Sequence, residues 1–411
     1  MRAPGQAAFA FIFITVLLTM LSIGIMVPVL PLLVQEMVGG DSADAARYFG
    51  LMTMLWATMQ FLVAPILGAL SDRFGRKAIV VYSGFGMAVS YVMAALAPTL
   101  FWLFASRVVS GVSAGNISTA YAYIADTTEP DQRAKLYGRL GAAFAVGFIF
   151  GPGFGGLLGG VDPRLPFWVA GLLCLANAIY GALILPESLK KEDRAPLRLS
   201  RANPLGGFSF LRAHPSVRGF AGIVAASQLA HYVLPAVIIL YVAYRFGWDA
   251  PQAGLLLMAS GIASFIVQVG LVQPIVGAIG EVRALIVGLF SGAVGFMVYA
   301  FAPSEMALFI GIPFLALWGL VAPSAQALMT ARVGKDEQGG LQGALGSLQG
   351  GMGIIGPLLF TQLYAVAIAS NTSPFPGAPF LLASVILVAA AIFAFLQPVT
   401  AAPSKRSVIH D

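Results

Sequence analysis

Apolar residues run along this chain in long blocks, separated by short polar breaks. A helix needs about 20 predominantly apolar residues to cross hydrocarbon, and the blocks reach that length. Residues 51–70 and 78–100, for example, carry no charge. The pattern predicts twelve spanning helices, over 8–34, 48–70, 78–97, 100–125, 136–160, 167–185, 217–244, 253–279, 284–301, 306–331, 341–369 and 378–396. Pro28 and Pro31 are expected to bend the first near its end. Residues 186–215 form the largest polar segment, with Lys190, Lys191, Arg194, Arg198, Arg201 and Arg212 among them. The segment reads as a linker, with room for a surface helix, between two six-helix bundles at 1–185 and 216–397; residues 398–411 are a polar tail.

Composition agrees. Of 411 residues, 59% are hydrophobic and 10% charged, against about 25% charged in soluble domains. The net charge of +6 does not point to nucleic acid, because the cations sit where membrane orientation requires them. Arg47, Arg164 and Arg245 fall in loops on one side and Arg107 within a span. The remaining Lys and Arg gather on the other side, which predicts a cytoplasmic linker and two cytoplasmic termini. The run from Ala7 is too long for a cleaved signal and reads as the first span. Cys174 is the single cysteine, which excludes an internal disulfide and a thiolate metal cluster.

The halves repeat. The hexapeptide at 65–70 recurs at 274–279, and the hexapeptide at 136–141 recurs at 341–346. The pair Gly151-Pro152 returns in the same register as Gly356-Pro357. Between spans 2 and 3 lies Gly68-Ala-Leu70-Ser-Asp72-Arg73-Phe-Gly75-Arg76-Lys77. Its charges cannot enter lipid and fix the hairpin to one surface. This stretch resembles the loop signature of major facilitator superfamily transporters. The resemblance implies an all-α fold of twelve transmembrane helices in two pseudo-symmetric bundles, with the substrate between them near the midplane. It also implies a charge lock of the outward-open state, built here from Asp72, Arg73 and Arg76 with Asp126 at the end of span 4. A solvated loop of weak pairs is the alternative.

Span 5 carries Gly147, Gly151 and Gly155 at intervals of four, with Pro152 and Gly156 beside them. One small face lets another helix approach closely. The pattern also resembles the span-5 signature of antiporters and so implies export. Arg107 is the one cation well inside a span. Arg107-Val-Val-Ser-Gly111 resembles the span-4 signature in which the arginine is tied to proton transfer; a structural arginine is the competing reading.

Segments in both halves resemble the tetracycline/proton antiporter branch, among them 24–31, 124–128, 336–343 and 356–361. That branch carries membrane-embedded aspartates in spans 1, 3 and 9, whereas the matching positions here are Thr19, Ser90 and Gly292. His231 is then the one midspan side chain that titrates near neutral pH. It is a candidate for proton coupling together with Arg107, with a neutral histidine bonded to a neighbouring helix as the alternative. Gln60, Asn116, Gln228 and Gln326 offer uncharged polar groups for a cavity that suits lipophilic solutes. The expected function is secondary active export of lipophilic small molecules, tetracycline-like ones included, by proton antiport in the inner membrane. A proton-independent facilitator or metabolite exporter is the alternative. The expected partners are lipid, the solute and protons. No cofactor, metal or nucleic acid is expected, and a monomer suffices. An enzyme or receptor fits less well: there is no Walker motif, no cluster of midspan nucleophiles and no soluble signalling domain.

Overall fold

A computed structural model describes residues 4–194, 196, 206–369 and 374–397. Arg198, Arg201 and the tail 398–411 lie outside the described residues. Among those described there are helices and no strand. Twelve helical segments are long and apolar enough to cross a membrane. Spans 1 to 12 are Phe9–Met37, Ser42–Phe74, Arg76–Leu96, Leu100–Thr127, Lys135–Val161, Leu165–Ile184, Pro215–Phe246, Ala250–Ile279, Glu281–Ala300, Glu305–Thr330, Gln338–Ile368 and Ala378–Leu396. A short helix, Gly206–Ala213, lies within the linker.

Local sequence sets the ends and interruptions. Asp41 caps span 2, its Oδ1 accepting from the Asp44 N–H at 2.8 Å. Span 1 is interrupted between Met26 and Leu30, around Pro28, and Pro31 opens the helix Leu30–Met37. Span 4 divides into Leu100–Val112 and Asn116–Thr127, with Ser113, Ala114 and Gly115 between them. Three further irregularities share one cause. Span 7 breaks after His231, span 8 widens into a π turn over Val267–Leu271, and span 10 tightens into a 3₁₀ turn over Trp318–Leu320. Pro235, Pro274 and Pro323 stand four residues after His231, Gly270 and Gly319. Each proline lacks the N–H that an unbroken helix would donate to that carbonyl.

Contacts divide the chain into two compact units. The first comprises Met1–Pro204, Leu234–Ile262 and Gly353–Pro376, so parts of spans 7, 8 and 11 join spans 1 to 6. The second comprises Leu205–Val233, Ala263–Met352 and Gly377–Asp411. Lipid is as apolar as leucine, so close packing rather than water exclusion holds spanning helices together. In the first unit, a Cβ on Gly84 would lie 2.9 Å from the Ala178 Cβ, and one on Gly111 would lie 2.6 Å from the Met59 Cβ. These near-contacts join span 3 to span 6 and span 4 to span 2. Phe11, Ile12, Val16, Met20, Tyr123 and Leu140 belong to a core packed between spans 1, 4 and 5. In the second unit, span 9 packs on spans 10 and 12: a Cβ on Gly292 would meet the Trp318 ring and the Leu387 methyl at 2.8 Å.

Candidate functional site

The hairpin between spans 2 and 3 turns at Gly75, whose φ of 107° and ψ of 157° fall in a region essentially reserved for glycine. The turn presents Arg76 to acidic groups from three directions. Its Nη1 donates to Asp72 at 2.5 Å and to Ser71 Oγ at 3.1 Å, and its Nε donates to Asp126 at 2.9 Å. The backbone N–H of Arg76 donates to Glu187 at 2.8 Å. Glu187 also accepts from the N–H groups of Ser188 and Leu189, and Ser188 Oγ donates to Asp126. A carboxylate at the start of span 3 is favoured by the partial positive charge of a helix N-terminus. Asp72, Arg76 and Asp126 thus meet. Arg73 does not join them: its guanidinium stacks 5.5 Å from the centre of the Phe74 ring. Glu187, 111 residues away in sequence, was not anticipated.

Glycines of span 5 lie against span 1. A Cβ on Gly151 would sit 2.6 Å from the Gly24 Cα, and one on Gly147 would sit 2.7 Å from the Leu17 carbonyl. Gly155 faces the Ile25 carbonyl. Gly156 occupies another face, against Ala250 and Pro251 at the start of span 8. Pro152 lies within a helix that continues from Pro130 to Val161.

The polar groups buried in the interior of the first unit are hydroxyls and amides, with a single charge among the described residues. Thr19 donates to the Thr15 carbonyl at 2.7 Å and Ser90 to the Ser106 carbonyl at 2.9 Å. Asn116, 5% exposed, donates to Thr19 at 3.4 Å. Arg107, at 3% exposure, is the one buried charged side chain among the described residues. In the second unit Gly292 lies beneath Trp318, so a carboxylate there would collide with the indole.

His231 is exposed and makes no hydrogen bond among the described residues. Its ring centre lies 5.6 Å from that of Trp318, whose Nε1 donates to Ser227 at 3.0 Å. Gln268, at the π turn, lies close enough to Gly319 for a Cβ there to approach its Nε2 at 3.4 Å. The irregular stretches of spans 7, 8 and 10 therefore supply an imidazole, an indole and an amide from one unit. Gln60, Gln228 and Gln326 are half-buried, with no side-chain hydrogen bond among the described residues. Trp318 is apolar over most of its surface and lies in an apolar run, so the sequence pattern does not single it out. His231 and Trp318 belong to the second unit and Arg107 to the first.

Comparison with known proteins decides the family. The model of the Major Facilitator Superfamily matches residues 12–357 and 221–410. This chain belongs to the Major Facilitator Superfamily. It is 37% identical over 353 residues to the class C tetracycline resistance protein of Escherichia coli, covering 86% of this chain and 88% of that protein. It is 28% identical to multidrug resistance protein 1 of Bacillus subtilis (strain 168), covering 86% and 90%. Among solved structures, a bacterial homolog of the human lysosomal transporter Spinster superposes with a TM-score of 0.76 at 16% identity, over 96% and 97% of the two chains. That last likeness concerns the fold alone. The chain is a multi-pass inner-membrane transporter of the superfamily and not an enzyme.

Proposed function

We propose that the protein is a secondary active exporter of lipophilic, drug-sized molecules, tetracycline-like compounds among them, that moves them by proton antiport through alternating access. The observation that carries this reading is the 37% identity to a tetracycline resistance protein over 86% of the chain. Residues 1–185 and 216–397 act as the two moving bundles, and both termini face the cytoplasm. Arg76 with Asp72 and Asp126 stabilises the outward-open state, and the glycine face of span 5 provides a close-packed surface for the motion. A monomer carries out the cycle.

His231 is the proton-coupling residue. An exposed imidazole without a hydrogen-bond partner among the described residues is free to gain and lose a proton between two access states. Trp318 beside it supplies a flat apolar wall for an aromatic solute. A second reading, a proton-independent facilitator, draws support from Thr19, Ser90 and Gly292, none of which titrates and all of which are engaged in local bonds or packing. The deciding experiment uses purified protein in liposomes with a lumenal pH dye and tetracycline as the probe. Substrate-driven proton movement is expected in the wild type and its loss in His231→Gln, with downhill drug flux still measurable. Wild-type coupling in His231→Gln moves the proton site elsewhere. Drug flux without proton movement in the wild type establishes the facilitator.

A further inference from the structure

The linker helix Gly206–Ala213 divides its residues between two faces. Gly207, Phe210 and Leu211 lie toward the second unit: Gly207 against the Ala344 backbone, Phe210 over Gly340, and Leu211 buried. Phe208 and Arg212 stand four residues apart, on neighbouring turns of one face, and neither is covered. The Phe208 ring is 44% exposed, and Arg212 is exposed with no side-chain partner among the described residues. Arg218, in the first turn of span 7, folds back onto this helix. Its Nε donates to the Leu211 carbonyl at 3.3 Å and its Nη2 to the Arg212 carbonyl at 3.0 Å. Two cations therefore gather at the end of the helix, one turn from an uncovered phenyl ring. Neither forms an ion pair among the described residues, and the Glu337 carboxylate is engaged by His214.

Span 11 fixes the depth of this helix. Its helix Gln338–Ile368 has 31 residues and so is about 46 Å long at 1.5 Å per residue. A hydrocarbon core is about 30 Å thick, which leaves the first turns of span 11 among the headgroups. Gly340 and Ala344 lie in those turns, and the linker helix lies against them. At that level an exposed phenyl ring buries its apolar surface at the boundary of the acyl chains. A guanidinium there covers apolar surface with its stem and meets phosphate oxygens with paired N–H donors. We propose that anionic phospholipid binds this face of the linker helix, with Phe208 at the acyl boundary and Arg212 and Arg218 holding the headgroup phosphate. A soluble anion would match the two cations but leave the ring in water, so the occupant is a lipid. All of these groups belong to one unit, and the site depends on neither the proton reading nor the transported solute.

The test uses the full-length protein in nanodiscs of phosphatidylcholine, with and without phosphatidylglycerol, at constant pH and ionic strength. A spin label is placed on Ser209→Cys, which is exposed beside Phe208 while Cys174 is buried. The ratio of its accessibility to oxygen and to a water-soluble nickel chelate reports its depth. The ratio is expected to rise when phosphatidylglycerol is present. Arg212→Gln should lose most of that rise, and Phe208→Ser should lower the ratio in both lipids. Both side chains are exposed, so neither change disturbs the packing of the helix on span 11. Equal ratios in the two nanodiscs for the protein with Phe208 and Arg212 intact overturn the proposal. So does an undiminished response to phosphatidylglycerol in Arg212→Gln, or a ratio in Phe208→Ser that matches the unmodified helix. A rise of the same size when inorganic phosphate is added to phosphatidylcholine nanodiscs overturns it in favour of a soluble anion.

Discussion

The two hairpins that open the third span of each half share a backbone and differ in charge. Gly75 and Gly280 each end one helix and cap the next, with φ values of 107° and 79° and ψ values of 157° and 162°. Each N–H closes the preceding helix, on Ser71 and on Val276. Around Gly75 stand Asp72, Arg76, Asp126 and Glu187. Around Gly280 a Cβ would meet nothing within 4 Å, and Glu281 and Arg283 form no ion pair among the described residues. Turning the chain and pairing the charges are therefore separable tasks. The glycine serves the turn in both halves, and only the first half adds a charge cluster to it.

The largest effect expected from this comparison is on transport. Arg76→Ala removes the group shared by Asp72 and Asp126, which are 51% and 20% exposed, and leaves both without their cation. Coupling between distant states in allosteric proteins is typically about 1–3 kcal/mol, so a loss of roughly fivefold or more is expected. Arg283→Ala should leave drug uptake into everted vesicles close to wild type. Asp126→Asn should follow Arg76→Ala. Equal uptake by the two arginine variants, at equal membrane insertion, would remove the charge cluster from the gating cycle.

A smaller effect separates turn from charge. Gly75→Ala and Gly280→Ala both force a side chain into a backbone region that costs of order 1–3 kcal/mol. Only at Gly75 does the new Cβ also collide with the Glu187 carboxylate, which then loses the N–H groups of Arg76, Ser188 and Leu189. Both variants should melt at lower temperature, and Gly75→Ala should lose transport as well. Adding Glu187→Ala to Gly75→Ala removes the collision and should recover part of the melting temperature. Identical behaviour of the two glycine variants would reduce Glu187 to a bystander.

How legible this was in the sequence depends on the range of each interaction. Twelve spans follow from block length, and Asp72 with Arg76 follows from their closeness in the hairpin, where the turn at Gly75 brings the end of span 2 back to the start of span 3. Within span 2, Arg73 is one residue from Asp72 and so turns about 100° away from it, onto Phe74. Glu187 arrives from the end of span 6, and no local pattern announces it. The interruptions of spans 7, 8 and 10 have a local signal: Pro235, Pro274 and Pro323 each mark the carbonyl four residues earlier. The convergence of His231, Gln268 and Trp318 is a property of packing between spans, which hydropathy does not carry.

The smallest effect concerns the second unit, where the ion pair found among the described residues joins His214 of the linker to Glu337 before span 11 at 3.0 Å. The contact docks the helix Gly206–Ala213. Gly207 lies against the Ala344 backbone, the Phe210 ring covers Gly340, and His214 stacks on Phe210 with ring centres 4.1 Å apart. The Phe210 carbonyl at Nδ1, and then Glu337 at Nε2, hold the His214 pKa above its ordinary 6.5. A protonated imidazole donates to both, whereas a neutral ring has one N–H and serves one. The folded-state value is raised, so the stabilisation is fully present below about pH 6.5 and is lost as pH rises through the higher value. A spin label on Ser209→Cys, which is exposed while Cys174 is buried, reports the docking. Label mobility should rise as the pH is raised past that value, and His214→Ala should be mobile and indifferent to pH throughout. Mobility that ignores pH in the His214 protein as well would show that the linker helix is held by Gly207 and Phe210 alone, with no charge contact in this unit to set beside Arg76.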